Sequence, residues 1–253
     1  MRALAAEFRK LFTTRTGLWL TVLSVLLAAL ITILVCINLK TTDQSGPGAL
    51  KGIASIAAGF GYVFSAVLGV IGITGEYRHQ TATPTFLSVP VRGVVVAAKL
   101  ITYLVWGFVL GILNVLVTMV IAVPWLSHRG FTDVSLGAPG VMASLIGAVV
   151  VVAIFGIVGV GLGALLRNQI AAIVGLVVYL FIAEPILSSI SGIHSVYRYL
   201  PGAAASALTG GNLGNNNSVA DHLSRAPAGL VLVAYGLVFA LLGALITVRR
   251  DVT

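Results

Sequence analysis

Charge is what this sequence has least of. Asp, Glu, Lys and Arg together make up 9% of its 253 residues, where a soluble domain carries about 25%. A chain so poor in charge points to one integral membrane domain rather than a water-soluble globule. Cysteine is nearly absent too. Cys36 stands alone in an apolar run, which excludes an internal disulfide and indicates no redox compartment. No Gly-Lys pair occurs, so the chain carries no phosphate loop. No H-E-x-x-H occurs either. His79, His128, His194 and His222 fall between the apolar runs, as do Asp43, Glu76, Asp133 and Asp221. A membrane-embedded protease or metalloenzyme needs such groups converging inside the bundle. A proton-driven carrier usually has a carboxylate at mid-membrane, and the nearest case is Glu184.

What is present is hydrocarbon. Hydrophobic residues reach 58%, and the 29 glycines suit membrane helices. The net charge of +8 does not signal nucleic acid, because the Lys and Arg residues punctuate the ends of apolar runs instead of forming one patch. That spacing is the mark of a membrane protein with a charge bias between its two sides.

Residues 1–16 place Leu4, Phe8, Leu11 and Phe12 on one helical face, with Arg2, Arg9 and Lys10 largely elsewhere. The pattern fits an interfacial helix lying apolar side down, or else a basic tail. Six spans follow, at 17–37, 53–74, 94–123, 141–166, 170–183 and 227–248, each judged against the roughly 20 apolar residues a bilayer needs. The third is longer than one crossing requires, and Lys99 near its start is placed to snorkel. Pro124 to Pro139 reads as a loop edged by Trp125. Gly159 and Gly163 form a G-x-x-x-G, a spacing that permits close helix contact. Glu184-Pro185 breaks the fifth span early. Glu184 is then either an acid at the outer interface or part of an outer gate.

The stretch 76–92 is too polar for hydrocarbon. Glu76, Tyr77 and Arg78 open it, Thr81 and Pro84 suit a helix start, Thr85, Phe86 and Leu87 form a short amphipathic piece, and Pro90 and Arg92 close it. From composition alone it is a solvated loop or a docking element. The order Gly75, Glu76, Tyr77, Arg78, Thr81, Phe86, Leu87, Pro90, Arg92 and Lys99 resembles the first cytoplasmic loop of type-2 ATP-binding-cassette (ABC) permeases. The run Ala164 to Leu176, ALLRNQIAAIVGL, is a second match to that family. The resemblance implies an all-α membrane fold of six transmembrane helices. It also implies an N-terminal elbow helix, a coupling helix in 76–92 that docks on an ATPase, and an outer re-entrant region at 186–225. There Tyr199-Leu200-Pro201 sits where a Leu-Pro is common, so Tyr199 and Pro201 join Glu184 at the outer gate.

By the same resemblance, two such permease chains pair, as identical copies or homologues, and two separate ABC ATPase subunits bind ATP and Mg and drive them. This chain needs no cofactor or metal, carries no catalytic residue and binds no nucleic acid. The place implied is the cytoplasmic membrane of a bacterium. Ten of the 15 Lys and Arg residues fall on one side, together with both termini and the 76–92 loop, which makes that side the cytoplasm. Phe60, Phe64, Tyr103 and Trp106 either line a path for an amphipathic substrate or face lipid. A non-transporting membrane anchor that recruits a cytoplasmic partner is the alternative reading.

Overall fold

The computed structural model describes residues 2–39, 45–78, 92–190, 192, 194–210 and 223–249. The chain is helical: α1 (Arg2–Thr13), α2 (Arg15–Asn38), α3 (Gly46–Arg78), α4 (Arg92–His128), α5 (Val141–Leu166), α6 (Gln169–Val178), a π turn (Tyr179–Ala183), α7 (Glu184–Ser189), α8 (His194–Tyr197), α9 (Pro201–Thr209) and α10 (Arg225–Arg249). Six of these stretches are long and apolar enough to cross a membrane, with α6, the π turn and α7 together making the fifth.

Helix α5 is the centre. It packs against α3, α4 and α10, and every residue from Val151 to Gly161 is buried. A helix apolar on every side has no solvated face, so neighbours must surround it. Its glycines let α3 approach backbone to backbone. A Cβ on Gly159 would run into the Ala66 carbonyl, and one on Gly69 into the Gly156 carbonyl. The two spans run parallel, since Gly61 meets Val152 at one end while Gly163 meets Ile73 and Thr74 at the other.

Helix α2 attaches by a different chemistry. Its buried residues Gly17, Thr21, Ser24, Ala28, Thr32 and Cys36 recur every three or four positions and form one small, polar stripe. Across it, Trp106 Nε1 donates to Thr21 (3.2 Å), Asn114 Nδ2 to Ser24 (3.2 Å) and Thr32 Oγ1 to Thr118 (3.4 Å). In an apolar medium small residues and cross-helix hydrogen bonds are the usual means of association.

Four expectations are corrected. The second span does not begin at 53: its helix starts at Gly46 and takes Pro47 into its first turn, where a missing N–H costs nothing. The fifth span does not stop at 183. Helix α6 continues through the π turn into α7 and ends at Ser189. In the wider turn the Glu184 N–H bonds to the Tyr179 carbonyl five residues back, which makes room for the ring of Pro185. The third span likewise does not end at 123. It runs to His128 with Pro124 inside it, because Ala122 and Leu126, fully buried on either side of the proline, hold the helix in register. Lys99, placed to snorkel, is instead 1% exposed, for a reason given below.

The link from α5 to α6 is Arg167 and Asn168 alone. Arg167 takes a left-handed conformation, φ 51°. The Asn168 side chain accepts the N–H groups of Ile170 (3.0 Å) and Ala171 (3.1 Å), capping α6.

Candidate functional site: a charge cluster at the root of the 79–91 loop

The last turn of α3 and the start of α4 stand on either side of residues 79–91, and α1 lies across them. Glu76 ends the span in α3, Lys99 lies two turns into α4, and Glu7 and Lys10 are one turn apart on α1. An (i, i+3) pair on a helix shares a face, so α1 offers one acid and one base to the same point. The result is a closed ring of four charges. Lys99 Nζ donates to Glu7 Oε2 at 2.7 Å and pairs with Glu76 Oε1 at 2.9 Å. Lys10 Nζ donates to Glu7 Oε1 and Glu76 Oε1, both at 2.8 Å.

The cluster is neutral overall and mostly dry. Glu7, Glu76 and Lys99 are buried, while the Lys10 side chain is 48% exposed. Lys99 has a third partner, the Gly72 carbonyl at 2.9 Å, so all three of its N–H donors are used. A cation at the C-terminal end of α3 also complements the helix dipole. For Lys10, partial burial works against the charged form. The hydrogen bonds to Glu7 and Glu76 and their negative charge outweigh it, and the pKa stands above the ordinary lysine value.

Why Lys99 does not snorkel is now plain. Three oxygen partners lie beside its ammonium, two of them charged, so the headgroup region offers it nothing better. The sequence reading missed Glu7, because it assigned α1 by its apolar stripe. The signal was available in Glu7 and Lys10 at helical spacing.

Beside the cluster, α1, α2 and α3 enclose a cavity of about 390 Å³. Leu11, Leu68, Ile71 and Tyr103 give it apolar walls, and Glu7, Lys10, Glu76, Thr14 and Thr16 a polar rim. Gly75 faces this space, since a Cβ there would touch nothing within 4 Å.

The remaining sequence candidates scatter. Thr81, Pro84, Thr85, Phe86, Leu87 and Pro90 lie outside the described residues. Tyr77, Arg78 and Arg92 are helical, with their side chains outside the described set. On α1, Leu11 is buried in a cluster with Leu68, Trp106, Leu110 and Val152. Phe12 is exposed with its ring edge-on to Trp106 at 5.2 Å, and Leu4 and Phe8 are half-buried. Trp106 is buried and ties α4 to α2. Phe64 packs against the same cluster. Phe60 lies 6.3 Å from Phe181 between ring centroids. Tyr103 presses on Gly72, where a Cβ would overlap its ring.

Glu184, Tyr199 and Pro201 lie toward the other end of the bundle. The Tyr199 ring sits under the Arg198 guanidinium at 5.0 Å. Pro201 is buried as the first residue of α9. Glu184 is buried within the bundle, and its Oε1 accepts the Ala203 N–H at 2.9 Å. One helix N-terminus is worth about 0.3–1 kcal/mol to an anion, against several kcal/mol for burying an unpaired one.

No curated protein matches this chain. The family profile described as ABC-2 family transporter protein matches residues 3–183. The matched stretch carries the charge cluster, residues 79–91, the first four spans and most of the fifth. The chain therefore belongs to the ABC-2 transporter family, as a multi-pass membrane permease subunit that works with an ABC ATPase subunit.

Proposed function

We propose that this chain is the permease subunit of an ATP-driven exporter and that residues 76–92 receive the power stroke. The observation that carries this reading is the cluster itself. Glu76 and Lys99, on either side of the loop, are clamped to the same helix, α1, by Glu7 and Lys10. A force applied to 79–91 cannot dissipate at its roots. It passes into α3, α4 and α1 together. Two ATPase subunits supply that force, binding ATP and Mg in their own sites, and a second permease chain completes the pathway. Both termini and the loop face the cytoplasm of a bacterium, across its cytoplasmic membrane.

The substrate is amphipathic or lipid-like: a drug, an antibiotic, a peptide, or a lipid or glycan precursor. Support comes from the cavity beside the cluster, whose apolar walls and charged rim match a molecule with a tail and a head. In this reading α1 lies on the inner leaflet and the amphiphile enters beside it.

The test is at Phe86, the only aromatic within 81–90 and so the natural anchor of a small interface. Phe86→Ala is expected to leave membrane insertion intact and to weaken co-purification of the ATPase or uncouple its hydrolysis from transport in vesicles. Wild-type behaviour of both Phe86→Ala and a polar replacement of residues 85–89 would remove the loop from the mechanism and leave the membrane-anchor reading standing.

A further inference from the structure

The end of the bundle away from the charge cluster holds another buried acid, built in the opposite way. Glu184 lies where the π turn meets α7 and is 4% exposed. Its Oε1 takes the Ala203 N–H in the first turn of α9. Gly202 lies against the same carboxyl, where a Cβ would stand 2.5 Å from Oε2. Oε2 has no hydrogen-bond partner. Among the described residues the salt bridges all belong to Glu7 and Glu76, and no Lys, Arg or His nitrogen comes within 4 Å of Glu184. The titratable groups in electrostatic range of it are phenols: Tyr62 of α3, Tyr179 of the π turn, Tyr197 of α8 and Tyr235 of α10. Tyr62 is itself stacked on Phe155 at 4.2 Å.

A carboxylate enclosed this far, with no counter-ion among the described residues, neutralises itself by taking a proton. Burial outweighs what favours the anion, which is one helix end with the backbone N–H groups of Ala203 and Gly202. The two oxygens also divide the roles of a neutral acid. Oε1, which accepts an N–H, is the carbonyl. Oε2, which makes no hydrogen bond of its own, is the oxygen open to the proton.

We propose that Glu184 is a proton-binding site, holding its proton while its carboxyl meets the first turn of α9 and releasing it to water when that contact opens. This rests on the geometry at this end alone, independently of the coupling reading. The consequence follows from linkage. A docked state that binds one proton more than the open state loses ground as pH rises, by at most about tenfold per pH unit above the ordinary carboxylate range. Below that range both states hold the proton, and the dependence vanishes.

The chain has three glutamates, and the other two are ion-paired. Isotope-edited infrared spectroscopy of glutamate-labelled protein in lipid nanodiscs therefore reads Glu184 directly. The expected result at pH 7 is a protonated-carboxyl carbonyl band that disappears in Glu184→Gln. Carboxylate bands alone would overturn the proposal. Amide exchange at Ala203, corrected for its intrinsic pH dependence, should speed up with pH in the wild type and stay flat in Glu184→Gln. Equal slopes would overturn it as well. Should Glu184→Gln fail to fold, the wild-type band must survive in Glu7→Gln and in Glu76→Gln, and its loss in either would overturn the proposal.

Discussion

Lys99 and Glu7 stand 92 positions apart in the chain, yet the ammonium of one lies 2.7 Å from the carboxylate of the other, out of reach of solvent. Their contact joins an N-terminal helix that does not span to the third span. It does so between the end of α3 and the start of α4, the two helices that flank residues 79–91.

Removing Lys99 should therefore be costly. In Lys99→Met two buried carboxylates share the half-exposed Lys10 alone. Breaking a buried pair on one side costs about 3–5 kcal/mol, and purified Lys99→Met should unfold at a markedly lower temperature than wild type. Adding Glu7→Gln removes the orphaned charge and should restore part of the loss. A single variant as stable as wild type would show that the cluster is solvated.

The glycines make a sharper contrast. Gly159→Ala puts a methyl group into the Ala66 backbone and forces α3 from α5, an overpacking expected to cost about 1–3 kcal/mol. Gly175→Ala meets nothing within 4 Å, and in a helix it should be neutral or stabilising by up to about 1 kcal/mol. Thermal unfolding of the two variants side by side reads the difference. Equal effects would contradict the backbone-to-backbone seam.

Topology is open to a direct check. With Cys36 replaced, a cysteine at Ser88 should react with an impermeant reagent only after the cells are opened. Reaction in intact cells would place residues 79–91 outside and end the coupling proposal.

Much of the fold was legible because each span is a nearly uninterrupted apolar run. Val141 to Leu166 was read to the residue, since Gly140 and the Arg167-Asn168 pair bound it chemically. The prolines were misread. Pro124 and Pro185 both suggested a helix end, and both sit within continuing helical segments, because burial of neighbouring residues and one π turn outweigh a missing N–H. At the candidate site the sequence offered Glu76 and Lys99 separately, as a loop residue and an interfacial one. Their pairing depends on Glu7, and nothing along the chain says that α1 folds back over them. Glu184 was left between the outer interface and an outer gate for the same reason. The helix that covers it, α9, comes from a stretch whose apolar content is modest.

The two-residue joint between α5 and α6 makes the fifth span a lever. Its near end is fixed within a few ångströms of the central helix by Arg167 and the Asn168 cap, while its far end carries Glu184, bonded to the first turn of α9. From Gln169 to Ser189 the rod is about 31 Å long. A tilt of about ten degrees at the joint, too small to disturb the cap, displaces the tip by roughly 5 Å. That exceeds the reach of the bond from Glu184 to Ala203. Small motions at the end of the bundle that holds the charge cluster are thus geared up into the breaking of a single contact at the opposite one.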